Sequence, residues 1–284
     1  MQAAPPAPTI LEETVRRALA EDIDRGDVTT EACVSPTAMG SATLHAREPV
    51  VVCGLPVLEE VYRQVDSLVD VDPLVTDGDL VEAGTALATV SGPAISILLG
   101  ERVALNFMQR LTGVSTMTRR FVDALPDGSS TRITDTRKTT PGLRALERYA
   151  VRCGGGFNHR EDLGAAVLIK DNHIAAAGGV RQAVERAKAH APHTGRIECE
   201  VDTRAQLDEA LEAGADIVML DNFDDDAVRE AIAAIGGRAI VEVSGGITIE
   251  RVATLGALGV DVVSVGALTH SSPSCDLGLD WSGA

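Results

Sequence analysis

The chain has 284 residues, 45% of them hydrophobic and 24% charged, and a formal net charge of −17 at pH 7. That apolar share offsets the entropy of ordering and excludes wholesale disorder, while the length suits one large domain or two modest ones. A field of that sign repels DNA, RNA and anionic membranes, and an aromatic content of 2% leaves little with which to stack single-stranded bases.

Five scattered cysteines, Cys33, Cys53, Cys153, Cys199 and Cys275, have no C-x-x-C spacing. They are expected as free, mostly buried thiols of a reducing cytoplasm. The start, MQAAPPAPT, lacks a basic segment followed by an apolar one, and no apolar run reaches the ~20 residues of a membrane span.

Thr9 with Glu12 three residues on fits a capping box, predicting a helix with Leu11, Val15, Ala18 and Leu19 on one face. From Met39 to about Val90, short β-prone runs are broken by Gly and Pro, with one helical piece at Pro56–Gln64. This predicts a small α+β domain on an antiparallel sheet. TDGDLVEAGTALATVSG is also similar to the hairpins of lipoyl or biotin carriers, but those carry a Lys at the turn and the first Lys here is Lys138. A helix over Ser96–Leu125 joins the halves. Beyond it, strands at Thr131–Asp135, Ala165–Ile169, Arg196–Val201, Asp216–Leu220, Ala239–Val243 and Asp261–Val265 alternate with helices. The helices are expected at Gly142–Cys153, Gly179–Ala191, Thr203–Ala213, Asp224–Ile235 and Thr248–Leu258. Such alternation implies a parallel sheet, either an open doubly wound one or a barrel.

The strand ends favour the barrel. They carry Asp135-Thr136-Arg137-Lys138, Lys170, Glu200, Asp221, Ser244-Gly245-Gly246 and Gly266; from Lys170 onward the spacing is 30, 21, 23 and 22 residues. A β/α barrel brings such ends to one mouth and often holds a phosphate on the last two glycine-bearing loops. Glu200 and Asp221 would face that mouth, where a divalent cation can bridge carboxylates and a pyrophosphate. Glu198 and Asp202 compete for the role, Glu198 sharing the parity of Glu200 but lying deeper. Arg137, Lys138, His159, Arg160 and Lys170 form a basic cluster suited to small carboxylates and phosphates. Only three lysines occur in the chain, and two of them fall here. A desolvated Lys170 could also serve as a Schiff-base nucleophile, or pair with Glu200 or Asp221.

These segments are similar to a known family. DTRKTTPGLR at 135–144 resembles the signature of the quinolinate phosphoribosyltransferases, also called nicotinate-nucleotide pyrophosphorylases (carboxylating). ALAEDIDRGDVTT, AREPVVVCGL, ERVALNFMQRLTGVST, GGGFNHREDL, LIKDNHI, ECEVD, VMLDNF, EVSGGI and VSVGALTHS resemble that family's segments in order along most of the chain. The resemblance implies an α/β protein. An N-terminal α+β sandwich-like domain over 1–111, rejoined by 275–284, would precede an incomplete α/β barrel of about six strands over 112–274.

The implied reaction joins quinolinate to 5-phosphoribosyl-1-pyrophosphate with Mg²⁺. It gives nicotinate mononucleotide, pyrophosphate and CO₂ in de novo NAD synthesis. By motif, Arg137, Arg160 and Lys170 would hold quinolinate with Thr136 and His159 beside them, and Arg102 would reach into the neighbouring subunit of a homodimer. Whether dimers assemble further stays open. Lys138, Glu200 and Asp221 would serve the phosphoribosyl pyrophosphate and its metal, Lys170 sharing the catalytic role. Ser244, Gly245, Gly246, Val265, Gly266 and Ala267 would cradle the 5′-phosphate with His270 close by, and Cys199 would point away from the mouth. Nicotinate phosphoribosyltransferases and the pyridine-ribosylating relatives encoded with molybdate transporters are the nearest enzymatic alternatives. A Schiff-base aldolase and a non-catalytic phosphate binder are more distant ones.

Overall fold

The computed structural model describes residues 3–282. The chain forms two compact units. One comprises the residues up to Arg119 together with Thr139–Gly155 and everything from Leu268; the other comprises Arg120–Lys138 and Gly156–Ala267.

The first unit opens with helix α1 (Pro8–Ile23), whose Leu11, Val15 and Leu19 are buried at four-residue spacing against α3 (Leu55–Val65). The expected capping box is not there. Ala7 is the N-cap without a side-chain bond, and Thr9 already lies inside the helix. Pro8 accounts for the early start, because its fixed φ and missing N–H suit the first helical turn. Helix α2 (Val28–Cys33) is capped by Asp27, which accepts from the Thr29 and Thr30 amides at 3.0 Å.

Next come β1 (Met39–Ala46), β2 (Val50–Val51), β3 (Asp70–Pro73), β4 (Leu80–Val81) and β5 (Ala86–Pro93). Strands β1, β5 and β3 join β12 (Leu277–Ser282) in a four-stranded antiparallel sheet of order β12-β1-β5-β3, with Leu44 opposite Leu279. β2 and β4 form a separate antiparallel pair. Helix α4 (Ala94–Asp123) runs on from β5, and α5 (Arg144–Cys153) belongs to this unit too.

All six expected parallel strands form in the second unit: β6 (Arg132–Thr134), β7 (Val167–Ile169), β8 (Ile197–Val201), β9 (Ile217–Asp221), β10 (Ile240–Ser244) and β11 (Val262–Ser264). Their order is β6-β11-β10-β9-β8-β7, every pairing parallel. The helices of this unit are α6 (Asp171–Ala177), α7 (Val180–His190), α8 (Arg204–Glu212), α9 (Asp225–Ile235) and α10 (Ile249–Leu258), and α11 (Ala267–His270) starts on its last residue and continues into the first unit. Thr203, Asp224 and Thr248 cap α8, α9 and α10 by accepting from Gln206, Ala227 and Arg251 amides. Each polar cap stops the loop within a few residues of its strand, so the strand ends stay uncovered. Helix α6 was not expected, since its seven residues bury no side chain and show no apolar period.

Candidate active site

The C-terminal ends of the six parallel strands deliver residues to one cavity of about 360 Å³. Thr136, Arg137 and Lys138 follow β6; His159 and Arg160 lie before β7; Leu168 and Lys170 come from β7 and its end. Glu200 comes from β8, Met219 and Asp221 from β9, Ser244 from β10 and Ser264 from β11. A flat sheet of six strands at ~4.8 Å spacing would spread its edge over more than 20 Å. Only a curled, barrel-like sheet lets both edges line one small cavity, so the open-sheet alternative falls.

The basic residues read from the sequence do converge here. Burial and the neighbouring Arg137 guanidinium pull the Arg160 pKa below its ordinary value, with Glu198 opposing them. Two guanidiniums crowded this way bind an anion more favourably than either alone. Lys170 Nζ is ion-paired with Glu200, and its side chain is 44% exposed. Asp221 Oδ2 accepts from Asn222 Nδ2 at 2.7 Å.

Beneath the cavity lies a layer of acids. Asp135 is fully buried and accepts from the His159 amide and from Asn158 Nδ2, both at 2.7 Å. His159 Nε2 sits 3.4 Å from Glu198 and 3.5 Å from Glu242, two carboxylates that are themselves buried. Burial alone would lower the His159 pKa, but hydrogen bonds to the two carboxylates outweigh it and push the value up to about 10. The Arg160 amide lies 2.7 Å from Nδ1 and favours a bare nitrogen there. That amide makes Nδ1 the ring's acceptor and leaves the proton on Nε2, facing the two carboxylates. Burial raises the Glu198 pKa as well. Glu198 therefore belongs to this layer rather than competing with Glu200.

Sequence reasoning missed Glu242 and Ser264. The available signal was a lone acid in an apolar strand, two residues before Ser244 and so on the same face, and a serine placed likewise before Gly266. Cys199, between the two glutamates, is fully buried and absent from the cavity wall.

The turn after β10 is built for close approach. Gly245 has φ +90°, and a Cβ there would come within 2.9 Å of the Asn222 backbone nitrogen. Asn222 itself has φ +58°, uncommon for a residue with a side chain. Gly246 follows at φ +56° with open space on its Cβ side. Such a turn exposes backbone amides to an anion without a side chain in the way. Val265 does not fit the expected cradle. It is buried, and its N–H donates to Thr134 O at 2.9 Å, so it closes the ladder between β11 and β6. Gly266 and Ala267 lead into α11, and His270 at its end is exposed with Nδ1 2.6 Å from Ser271 Oγ. Arg102 is exposed on α4 and makes no ion pair among the described residues.

Two family models together match residues 27–280 but for one position. The quinolinate phosphoribosyl transferase N-terminal domain matches residues 27–112, and the C-terminal domain of the same family matches 114–280. The chain belongs to the quinolinate phosphoribosyltransferase family. A probable nicotinate-nucleotide pyrophosphorylase [carboxylating] of Bacillus subtilis (strain 168) is 43% identical over 260 residues, covering 92% of this chain and 89% of that protein. Its Mycobacterium leprae (strain TN) counterpart is 43% identical over 276 residues, with coverage of 94% and 96%. The crystal structure of NadC from Streptococcus pyogenes superposes with a TM-score of 0.93 at 40% identity, covering 99% of this chain and 100% of that one. The resemblance read from DTRKTTPGLR and its companion segments therefore holds over residues 27–280 of this chain. Human nicotinic acid phosphoribosyltransferase, at 16% identity and a TM-score of 0.64, shares the fold alone.

Proposed function

We infer that this protein transfers the phosphoribosyl group of 5-phosphoribosyl-1-pyrophosphate to quinolinate with decarboxylation. The products are nicotinate mononucleotide, pyrophosphate and CO₂, a step of de novo NAD synthesis. One observation carries the reading in a chain of this family: Arg137, Arg160 and Lys170 line the same cavity as Glu200, Asp221 and the Ser244 turn. A dianionic ring fits the cations, and a phosphorylated sugar fits the turn and the carboxylates.

In the reaction the pyridine nitrogen attacks C1 of the ribose while the C1–O bond to pyrophosphate breaks, its electron pair leaving with the pyrophosphate. Arg137, Arg160 and Lys170 orient the ring by its carboxylates, and Thr136 and His159 border it. Lys138, exposed at the cavity edge, takes up charge on the departing pyrophosphate. The ring nitrogen is then cationic, and the C–C bond to the adjacent carboxylate breaks with its pair held on the carbon beside that nitrogen. A proton from water completes nicotinate mononucleotide. No enzyme nucleophile is required.

Glu200 and Asp221 would hold Mg²⁺. Their hard oxygen donors at neighbouring strand ends suit an ion that takes one or two protein carboxylates and fills its sphere with phosphate and water. When bound, the ion supplies charge neutralisation of the leaving pyrophosphate. The Schiff-base reading of Lys170 is disfavoured. Its amine is ion-paired and partly exposed, whereas such a lysine needs desolvation.

Among the described residues no helix is long and apolar enough to cross a membrane, and we place the protein in the cytoplasm as a homodimer. Arg102, exposed and without an ion pair among the described residues, would complete the partner's cavity.

Substrate choice tests the reading. Nicotinate lacks one carboxylate and would leave cavity cations without their counter-ion, costing about 2 kcal/mol or more, at least ~30-fold in kcat/KM. Steady-state rates with quinolinate, nicotinate and nicotinamide should show quinolinate far ahead. Equal turnover of nicotinate would overturn the proposal.

A further inference from the structure

Away from the cavity, an ion pair whose carboxylate is fully buried binds together two stretches of chain that adjoin residues the proposed reaction uses. Glu147, on α5, has no exposed surface. Its Oε1 accepts from Arg110 Nε at 3.1 Å, Arg110 Nη2 at 2.7 Å and Thr140 Oγ1 at 2.7 Å, and its Oε2 accepts from the Thr140 amide at 3.0 Å. Arg110, on α4, also donates to Ser272 O at 2.9 Å, to Ser272 Oγ at 3.1 Å and to Thr269 O. All of these groups lie in the first unit.

Stability is a poor reason for such an arrangement. Desolvating two charges offsets most of what their attraction gains, and well-packed apolar residues often do as well. What a buried carboxylate with four hydrogen bonds does well is to fix the groups that donate to it. Here it fixes two places. Thr140 stands two residues beyond Lys138, and Thr269 and Ser272 bracket His270, just beyond Gly266 and Ala267. Resting on the function proposed above, both stretches serve the phosphoribosyl pyrophosphate. Of the residues that serve quinolinate, Arg160 and Lys170 come from stretches that the network does not touch, while Thr136 and Arg137 share the Lys138 segment.

We propose that Arg110 and Glu147 are positioning residues for phosphoribosyl pyrophosphate, acting through Thr140 on the Lys138 segment and through Thr269 and Ser272 on the turn after β11. Loosening the network lowers the fit of that substrate, which is held at both places, more than that of quinolinate, which meets only the Lys138 segment through Arg137.

The test uses the full-length enzyme with both substrates varied. Thr140→Val removes the hydroxyl donor and keeps the shape, Thr140→Ser keeps the donor, and Glu147→Gln weakens every bond at once. Thr140→Val should raise KM for phosphoribosyl pyrophosphate about tenfold, with a clearly smaller rise in KM for quinolinate through Arg137 and kcat within about twofold, and Thr140→Ser should restore it. Glu147→Gln should act in the same direction, and adding Thr140→Val to it should cost little more, because the two share one network. If Glu147→Gln does not fold, the Thr140 pair still decides. Unchanged kinetics in Thr140→Val, equal changes in both KM values, a fall in kcat alone, or no recovery with Ser would each overturn the proposal. A wild-type enzyme inert toward quinolinate would instead defeat the functional reading on which it rests.

Discussion

Mixing the inactive Arg102→Ala and Lys138→Ala proteins should restore activity that neither has alone. Arg102 sits on α4, far in sequence from the strand ends, and is exposed. An arginine kept exposed and without an ion pair among the described residues suits a role across a two-fold interface. In a mixed dimer one site would carry both lesions and the other neither. Random pairing makes half the dimers mixed, each with one intact site in two, so recovery should approach about a quarter of wild type. Were Arg102 to act within its own subunit, every site would carry one lesion and mixing would restore nothing. Were it a surface residue of no function, its replacement would cost at most about 1 kcal/mol and Arg102→Ala would stay active. The measurement is turnover after demonstrated subunit exchange.

Chelation should abolish turnover. Pyrophosphate leaves with several negative charges, and an ion that neutralises them is worth several kcal/mol, on the order of 10² to 10⁴ in rate. EDTA should remove at least that factor, and Mg²⁺ or Mn²⁺ should restore it. The two carboxylates are not equivalent. Lys170 already offsets the charge of Glu200, whereas Asp221 is held by a neutral amide from Asn222. Asp221→Asn should therefore raise the half-saturating Mg²⁺ concentration more than Glu200→Gln. Full activity in excess chelator would remove the metal from the mechanism.

Much of this site is legible in the sequence because a barrel converts chain order into place. A strand's side chains alternate, so one of the last two residues of a strand, or the first beyond it, faces the mouth. Lys170, Glu200, Asp221 and Ser244 could thus be picked from spacing alone, and all four line the cavity. What lies beneath depends on partners far apart in the chain. Nothing in AIVEVSGG says that Glu242 will meet His159, because that contact needs β8 and β10 on either side of β9. Val265 shows the same limit. Its N–H looks available until the β11–β6 register, Ser264 opposite Thr134, shows it committed. Thr140, Glu147, Arg110 and Ser272 span too much sequence for any local pattern to join them, although each hydrogen bond is unambiguous in the fold. Short helices such as α6 escape because their ends, not an apolar face, hold them. There His173 Nδ1 accepts from the Lys170 amide and Gly178 takes the left-handed conformation.

The central claim is one enzyme, one cavity and two coupled bond cleavages. It is tested most directly by following CO₂ and pyrophosphate together from quinolinate, labelled in the carboxylate beside the ring nitrogen, and phosphoribosyl pyrophosphate with Mg²⁺. The account predicts one CO₂ and one pyrophosphate for each nicotinate mononucleotide formed, and neither without the other substrate. Pyrophosphate released without CO₂, or no reaction of quinolinate at all, would contradict it.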